Sequence, residues 1–121
     1  MAKGPFDLEY LGKYFRHSAL WIVCELEGNL PKLPLKPVIR GPELVEVWPF
    51  FADKGLAFHF IRKHQLEGYS PFELYEIHEF YTFVRAISAT EVTNVEIYVE
   101  KAKPQVYQVK DLLKKIEESL D

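Results

Sequence analysis

Residues 67–88, EGYSPFELYEIHEFYTFVRAIS, decide which fold the chain adopts, because they contain signals for two different structures. Ser70 and Glu73 match the helix-capping pattern Ser-x-x-Glu, and Pro71 stands where the first helical residue would be. This pattern favours one long helix that begins at residue 71.

The apolar spacing of the same segment favours a different structure. On a helical wheel the second half of the segment forms an apolar stripe of Phe80, Phe83, Val84 and Ile87. Extending that stripe towards the N-terminus places Glu73 and Glu76 inside it, which conflicts with a single helix. Reading residues 72–78 as a short strand and residues 79–88 as a helix removes the conflict, so we predict a strand followed by a helix.

The remaining helices and strands follow from the spacing of apolar residues. Short apolar or alternating runs predict three further strands, over residues 19–26, 43–51 and 92–100. Apolar positions that recur every three to four residues predict three further helices, over residues 6–17, 54–66 and 106–120. Asp53 is expected to cap the second of these helices.

Residues 28–42, GNLPKLPLKPVIRGP, contain four of the eight prolines. Proline fixes φ and has no amide hydrogen, so we predict an extended connector without regular structure. An alternative is a polyproline II peptide ligand, because PKLPLKP has the P-x-x-P spacing with a neighbouring lysine.

The elements succeed one another in the order α-β-β-α-β-α-β-α. A chain of 121 residues normally builds one core, so residues 1–121 are expected to form a single domain. We predict an α/β (α+β) fold, with a mixed sheet of about four strands covered by helices.

The composition argues against several classes of partner. A net charge of −3 disfavours nucleic acid, which requires a cationic surface. The sequence lacks a signal-peptide pattern and any apolar run of membrane-spanning length, so we expect no membrane partner and a cytoplasmic location. Nine Phe, seven Tyr and two Trp are more than a core of this size can cover, which predicts a protein partner or a homo-oligomer.

Three stretches resemble the SseB N-terminal domain family in their order and spacing: HSALWIVCELEG, VWPFFADKGLAFHFI and NVEIYVEKAKPQVYQVKDLL. Where that family has Thr or Ser after PFF, this chain has Ala52 followed by Asp53. The resemblance implies the same layered fold with a short third strand. It also implies a small cytoplasmic module without established catalytic residues.

Polar residues at the predicted strand ends form a candidate ligand-binding rim. Glu76 and His78 would project together from alternate positions of the third strand. Asp53 at the end of the second strand, and Glu100 with Lys101 at the end of the fourth, are expected to approach them. Together they would supply a base, an acid and a cation. The structural alternative is a solvated strand end with a cap for the next helix.

No metal, cofactor or catalytic residue is predicted. His59 and His64 lie on different sides of the predicted helix, so they cannot chelate one ion with His78. Cys24, the single cysteine, stands in an apolar strand, where a thiol behaves as a small hydrophobe. The sequence has no nucleophile elbow and no phosphate-binding glycine loop.

These observations favour a non-enzymatic protein-interaction module that associates with itself. Surface aromatic residues are the candidate partner contacts, namely Phe58, Tyr69, Tyr81 and Tyr98. The alternative function is a small-molecule binder or weak enzyme that uses the rim around Glu76 and His78.

Overall fold

The computed structural model describes residues 6–32, 39–40, 46–101 and 103–120. Its strands are β1 Leu20–Glu27, β2 Leu30–Pro31, β3 Ile39–Arg40, β4 Glu46–Phe51, β5 Tyr69–Leu74, β6 Asn94–Tyr98 and β7 Gln105–Gln108. Its helices are α1 Leu11–His17, which a 3-10 turn Leu8–Tyr10 precedes, α2 Lys54–Lys63, α3 Ile77–Ser88 and α4 Val109–Leu120. None of the helices in these ranges combines the length and the apolar character that crossing a bilayer requires.

Residues 67–88 contain a strand, β5, followed by a helix, α3, which confirms the prediction. Ser70 and Glu73, the apparent capping pair, both lie within β5. The carboxylates that cap the helix are those of Glu76 and Glu79, and Glu79 Oε1 accepts hydrogen bonds from the backbone N–H groups of Glu76 and Tyr75 at 3.1 and 2.8 Å. The chain therefore turns from strand to helix at residues 75 and 76.

The mixed α/β class is confirmed, but the predicted number of strands and the predicted order are wrong. The four predicted strands are present as β1, β4, β5 and β6, and three further strands accompany them. Strands β2 and β3 are two-residue additions from the segment predicted as an irregular connector. Strand β7 occupies residues 105–108, where the last helix was predicted to begin. Residues 33–37 of the P-x-x-P stretch lie outside the described ranges.

The sheet places β5, β1, β4, β6 and β7 side by side. Strands β4 and β6 are parallel, with Phe51 opposite Tyr98, and the other pairs along this path are antiparallel. Because β5 and β4 both run antiparallel to β1, they run in the same direction. The carboxyl ends of β4, β5 and β6 therefore meet at one edge of the sheet.

Three helices cover one face of the sheet and form the larger core. From β1 the side chains of Leu20, Ile22 and Cys24 enter this core, in which α1, α3 and α4 contribute the helical side chains. Phe80 of α3 lies against Phe50 of β4, and the two ring centroids are 5.2 Å apart in an edge-to-face arrangement.

Helix α2 covers the opposite face and forms the smaller core. Val23 and Phe51 of the sheet pack here against Ala57 and Phe60 of the helix, and all four are buried. Trp21 is only partly buried at the border of this core, since one short helix covers this side. Aromatic surface is consequently left accessible around α2.

Candidate functional site

The edge at which β4, β5 and β6 end holds the residues of the predicted rim. Asp53 follows β4, Glu76 follows β5, and Glu100 follows β6, each within two residues of the strand end. Lys101 comes next, with a left-handed φ of 59°. The topology therefore brings the predicted strand ends to one edge, but the local geometry of the residues differs from the prediction.

Glu76 and His78 do not occupy alternate positions of a strand. Glu76 is the residue that precedes α3, and His78 lies in the first turn of that helix, so the predicted strand geometry is wrong. Both side chains are exposed. The helix begins here because Glu76 and Glu79 form a capping box, in which the Glu76 side chain accepts a hydrogen bond from the backbone N–H of Glu79 and the Glu79 carboxylate accepts one from the backbone N–H of Glu76.

Asp53 caps α2, as the sequence predicts. Its Oδ1 accepts a hydrogen bond from the backbone N–H of Gly55 at 2.8 Å. Within the ranges that the structure describes, no hydrogen bond or ion pair joins Asp53, Glu76, His78, Glu100 or Lys101 to another of the five. No group of three metal-ligating side chains occurs there either.

Three of the four predicted partner contacts are engaged within the molecule. The Tyr98 ring stacks on Phe51 with centroids 5.2 Å apart, and burial raises the pKa of its phenol to about 12. The Tyr81 hydroxyl donates to Glu117 Oε2 at 2.8 Å. Tyr69 packs against the smaller core, and burial raises the pKa of its phenol. Phe58 differs from these three, because 44% of it is exposed.

Phe58 belongs to a group of five side chains, which we call the aromatic patch: Trp21, Lys54, Phe58, Glu73 and Tyr75. The Lys54 ammonium lies 5.5 Å from the centroid of the Trp21 ring and 5.7 Å from that of Phe58, within cation–π range of both. Trp21 pairs with Glu73 across β1 and β5. The Glu73 carboxylate, chiefly as a hydrogen-bond acceptor, raises the pKa of the Tyr75 phenol. The patch is therefore a continuous series of contacts.

The fold assembles the patch from three segments. Trp21 and Glu73 are cross-strand neighbours, so their side chains lie on the face of the sheet that α2 covers. Lys54 and Phe58 are four residues apart in α2, which places them one turn apart on the same side of the helix. Tyr75 stands where β5 gives way to α3, and 63% of it is exposed.

Sequence reasoning found Phe58 but missed Trp21 and Tyr75. Trp21 stands in a continuous apolar run that predicts a fully buried strand, whereas the face of β1 that carries Trp21 is covered by α2 only. Tyr75 was predicted inside a strand, although it follows the last residue of β5. The spacing of Lys54 and Phe58 was the signal that could have located the patch, because a cation one turn from an aromatic ring is a typical contact pair.

The patch offers recognition rather than bond-making chemistry. Its rings provide apolar surface, and Lys54 and Glu73 add one charge of each sign. Cys24, the free thiol, is fully buried in the other core, and burial, aided by the charge of Glu25, raises its pKa to about 11. A thiol with that pKa is protonated at neutral pH and is a poor nucleophile.

Comparison with protein-family models and with curated protein sequences finds no match for this chain. The resemblance to the SseB N-terminal domain family therefore stays a prediction from the sequence.

Proposed function

We propose that the protein is a non-enzymatic interaction module that associates with a second copy of itself through the aromatic patch. The observation that carries the proposal is the exposure of Phe58 and Tyr75, 44% and 63%, in a patch that also contains the partly buried Trp21. Trp, Tyr and Phe are the residue types that concentrate in the centres of protein interfaces.

Burying these rings supplies the driving force for association. Complete burial of a large apolar side chain contributes about 1.5–3 kcal/mol, so the exposed part of Phe58 retains about 1 kcal/mol of that gain. Lys54 lies over two of the rings already, so its contact geometry is largely formed before a partner arrives. Preorganised side chains lose less conformational entropy on binding.

The charges of the patch support a second copy as the partner. In a two-fold interface each residue of one copy meets its counterpart residue in the other, and the relation is reciprocal. A patch that holds one cation and one anion is complementary to itself under such an axis, with Lys54 of one copy facing Glu73 of the other. The pair of Lys54 and Glu73 would therefore occur twice in the dimer.

The proposal fits the family resemblance, which implies a small cytoplasmic module of the SseB N-terminal type without catalytic residues. We propose on the same basis that residues 1–121 act as one domain.

Light scattering over a concentration series tests the proposal. We expect a dimer whose dissociation constant rises by about tenfold or more in Phe58→Ala and in Tyr75→Ala, as is usual for interface aromatics. Tyr10→Ala is the matched control, because Tyr10 is also 63% exposed but precedes α1, on the other side of the molecule. This control should leave the dissociation constant unchanged.

A charge exchange tests the reciprocal pairing. Lys54→Glu alone and Glu73→Lys alone would each set like charges against one another and weaken the dimer. The double variant would restore opposite charges and regain most of the affinity. A monomer at every concentration, or equal weakening by Tyr10→Ala, would refute the proposal.

A further inference from the structure

A cleft of about 470 Å³ lies at the edge of the sheet opposite the aromatic patch. It is bounded by the end of α3, the loop into β6 and the junction between β7 and α4. Its volume is within the range of sites that hold small organic molecules.

One side of the cleft is apolar. Val92 and Val109 are buried, and Leu113 is partly buried, and all three line the cleft. Such a surface accommodates the hydrocarbon part of a ligand, because its contact with the ligand removes apolar area from water.

The hydroxyl groups that line the cleft differ in whether they already donate a hydrogen bond within the protein. The hydroxyls of Ser88 and Thr90 already donate to the backbone carbonyls of Arg85 and Ile87, both at 2.6 Å. The Thr93 hydroxyl instead accepts a long hydrogen bond of 3.4 Å from the Asn94 side chain, so its own proton is available to a ligand.

Lys110 is the charged residue in the lining. Its side chain forms no ion pair with any residue of the described ranges. The neighbouring carboxylates in the sequence, those of Glu91 and Asp111, are exposed and are not part of the lining. The charge that faces a bound molecule is therefore positive.

We propose that this cleft binds a small organic anion. The hydrocarbon part would contact Val92, Val109 and Leu113, while the anionic group would pair with the Lys110 ammonium and accept a hydrogen bond from the Thr93 hydroxyl. This site is separate from the aromatic patch, so its ligand and the second copy of the chain could bind together. A ligand in this cleft would also lie away from the rim around Glu76 and His78.

Amide chemical-shift titration of the ¹⁵N-labelled protein with phenyl phosphate tests the site. We expect saturable shifts confined to residues 88–94 and 108–113. Benzyl alcohol, which has the ring without the charge, should produce no saturable shift at the same concentrations.

Two variants of α4 separate the role of Lys110 from general electrostatics. Lys110→Gln should weaken phenyl phosphate binding by about tenfold. Lys114→Gln removes the same charge one turn along the helix, at an exposed position outside the cleft, and should leave the affinity unchanged. Thr93→Phe, also at an exposed position, should abolish binding by filling the cleft.

Several results would overturn the proposal. These are the absence of saturable shifts at millimolar phenyl phosphate, shifts centred on other residues, and equal binding of benzyl alcohol. Equal effects of the two lysine variants would also overturn it. The resonance dispersion of each variant shows directly that it is folded.

Discussion

Replacing Glu79 by alanine should lower the stability of the fold, because one carboxylate oxygen holds the turn from β5 into α3. Glu79 Oε1 accepts two backbone hydrogen bonds, from Tyr75 at 2.8 Å and from Glu76 at 3.1 Å. Both contacts are on the surface, so water replaces part of what the substitution removes.

The expected loss follows from the two contacts. Removing a capping side chain costs about 0.5–2 kcal/mol, and a charged acceptor with two donors belongs in the middle of that range, at about 1–1.5 kcal/mol. Such a loss lowers the melting temperature by about 4 °C in a domain of this size. Glu79→Gln keeps the acceptor oxygen and loses the charge, so it should cost about half as much.

Urea unfolding measures this difference as a shift of the midpoint at constant slope. Ser70→Ala is the matched control, because Ser70 belongs to the apparent capping pair that lies within β5. It should change the stability by less than about 0.5 kcal/mol. A larger loss for Ser70→Ala than for Glu79→Ala would show that a helix begins near residue 71 and would refute the reasoning.

Three further predictions concern buried titrating groups. Tyr14→Phe removes the hydrogen bond that the phenol donates to the carbonyl oxygen of Ala19 at 2.8 Å, so it should cost about 0.5–1.5 kcal/mol in urea unfolding. Burial raises the pKa of Tyr14 and of Tyr98 from 10.0 to about 12, and the folded state therefore favours the neutral phenols. The stability that the two neutral phenols contribute is complete below about pH 10 and is lost as the pH rises towards about 12. The urea midpoint should therefore fall over that interval, and it should fall less in Tyr14→Phe. A midpoint that does not change with pH would contradict this. Cys24, fully buried with a pKa of about 11, should react slowly with an aromatic disulfide reagent at neutral pH and rapidly in urea, and fast reaction of the folded protein would show that the strand opens.

The strands in which the pattern of apolar residues matches the pattern of buried residues were predictable from the sequence. The run around Ile22 and Cys24 is continuously apolar, and it forms β1 with both side chains fully buried. Val95 and Ile97 alternate with polar residues, and they form β6 with only these two positions fully buried. In both cases the local pattern and the tertiary environment require the same structure.

Strand β7 was not predictable, because its sequence continues the period of the helix after it. Val106 and Val109 are three residues apart and extend the apolar spacing of α4, yet Val106 is 58% exposed in the strand and Val109 is buried in the helix. Pairing with β6, where Val106 lies opposite Glu96, decides the conformation of this segment. A sequence pattern contains no information about which strand will be adjacent.

The candidate site was only partly predictable for a related reason. Helix caps can be identified from nearby residues, so Asp53 was correctly expected to cap α2. The contact of Lys54 with Trp21 depends on how α2 crosses the sheet, and it joins residues far apart in the chain. Surface clusters of this kind become visible only when the tertiary structure is known.

The parallel pairing of β4 with β6 has a consequence for biosynthesis. Trp48 of β4 pairs with Val95 of β6, so β4 leaves the ribosome well before β6, its neighbour in the sheet, has been made. The elements made in between do not pair with that open side of β4, because α2 and α3 pack on the faces of the sheet and β5 pairs with β1. During translation the nascent chain therefore exposes an unpaired side of β4, and we expect it to be prone to association until residue 98 has emerged.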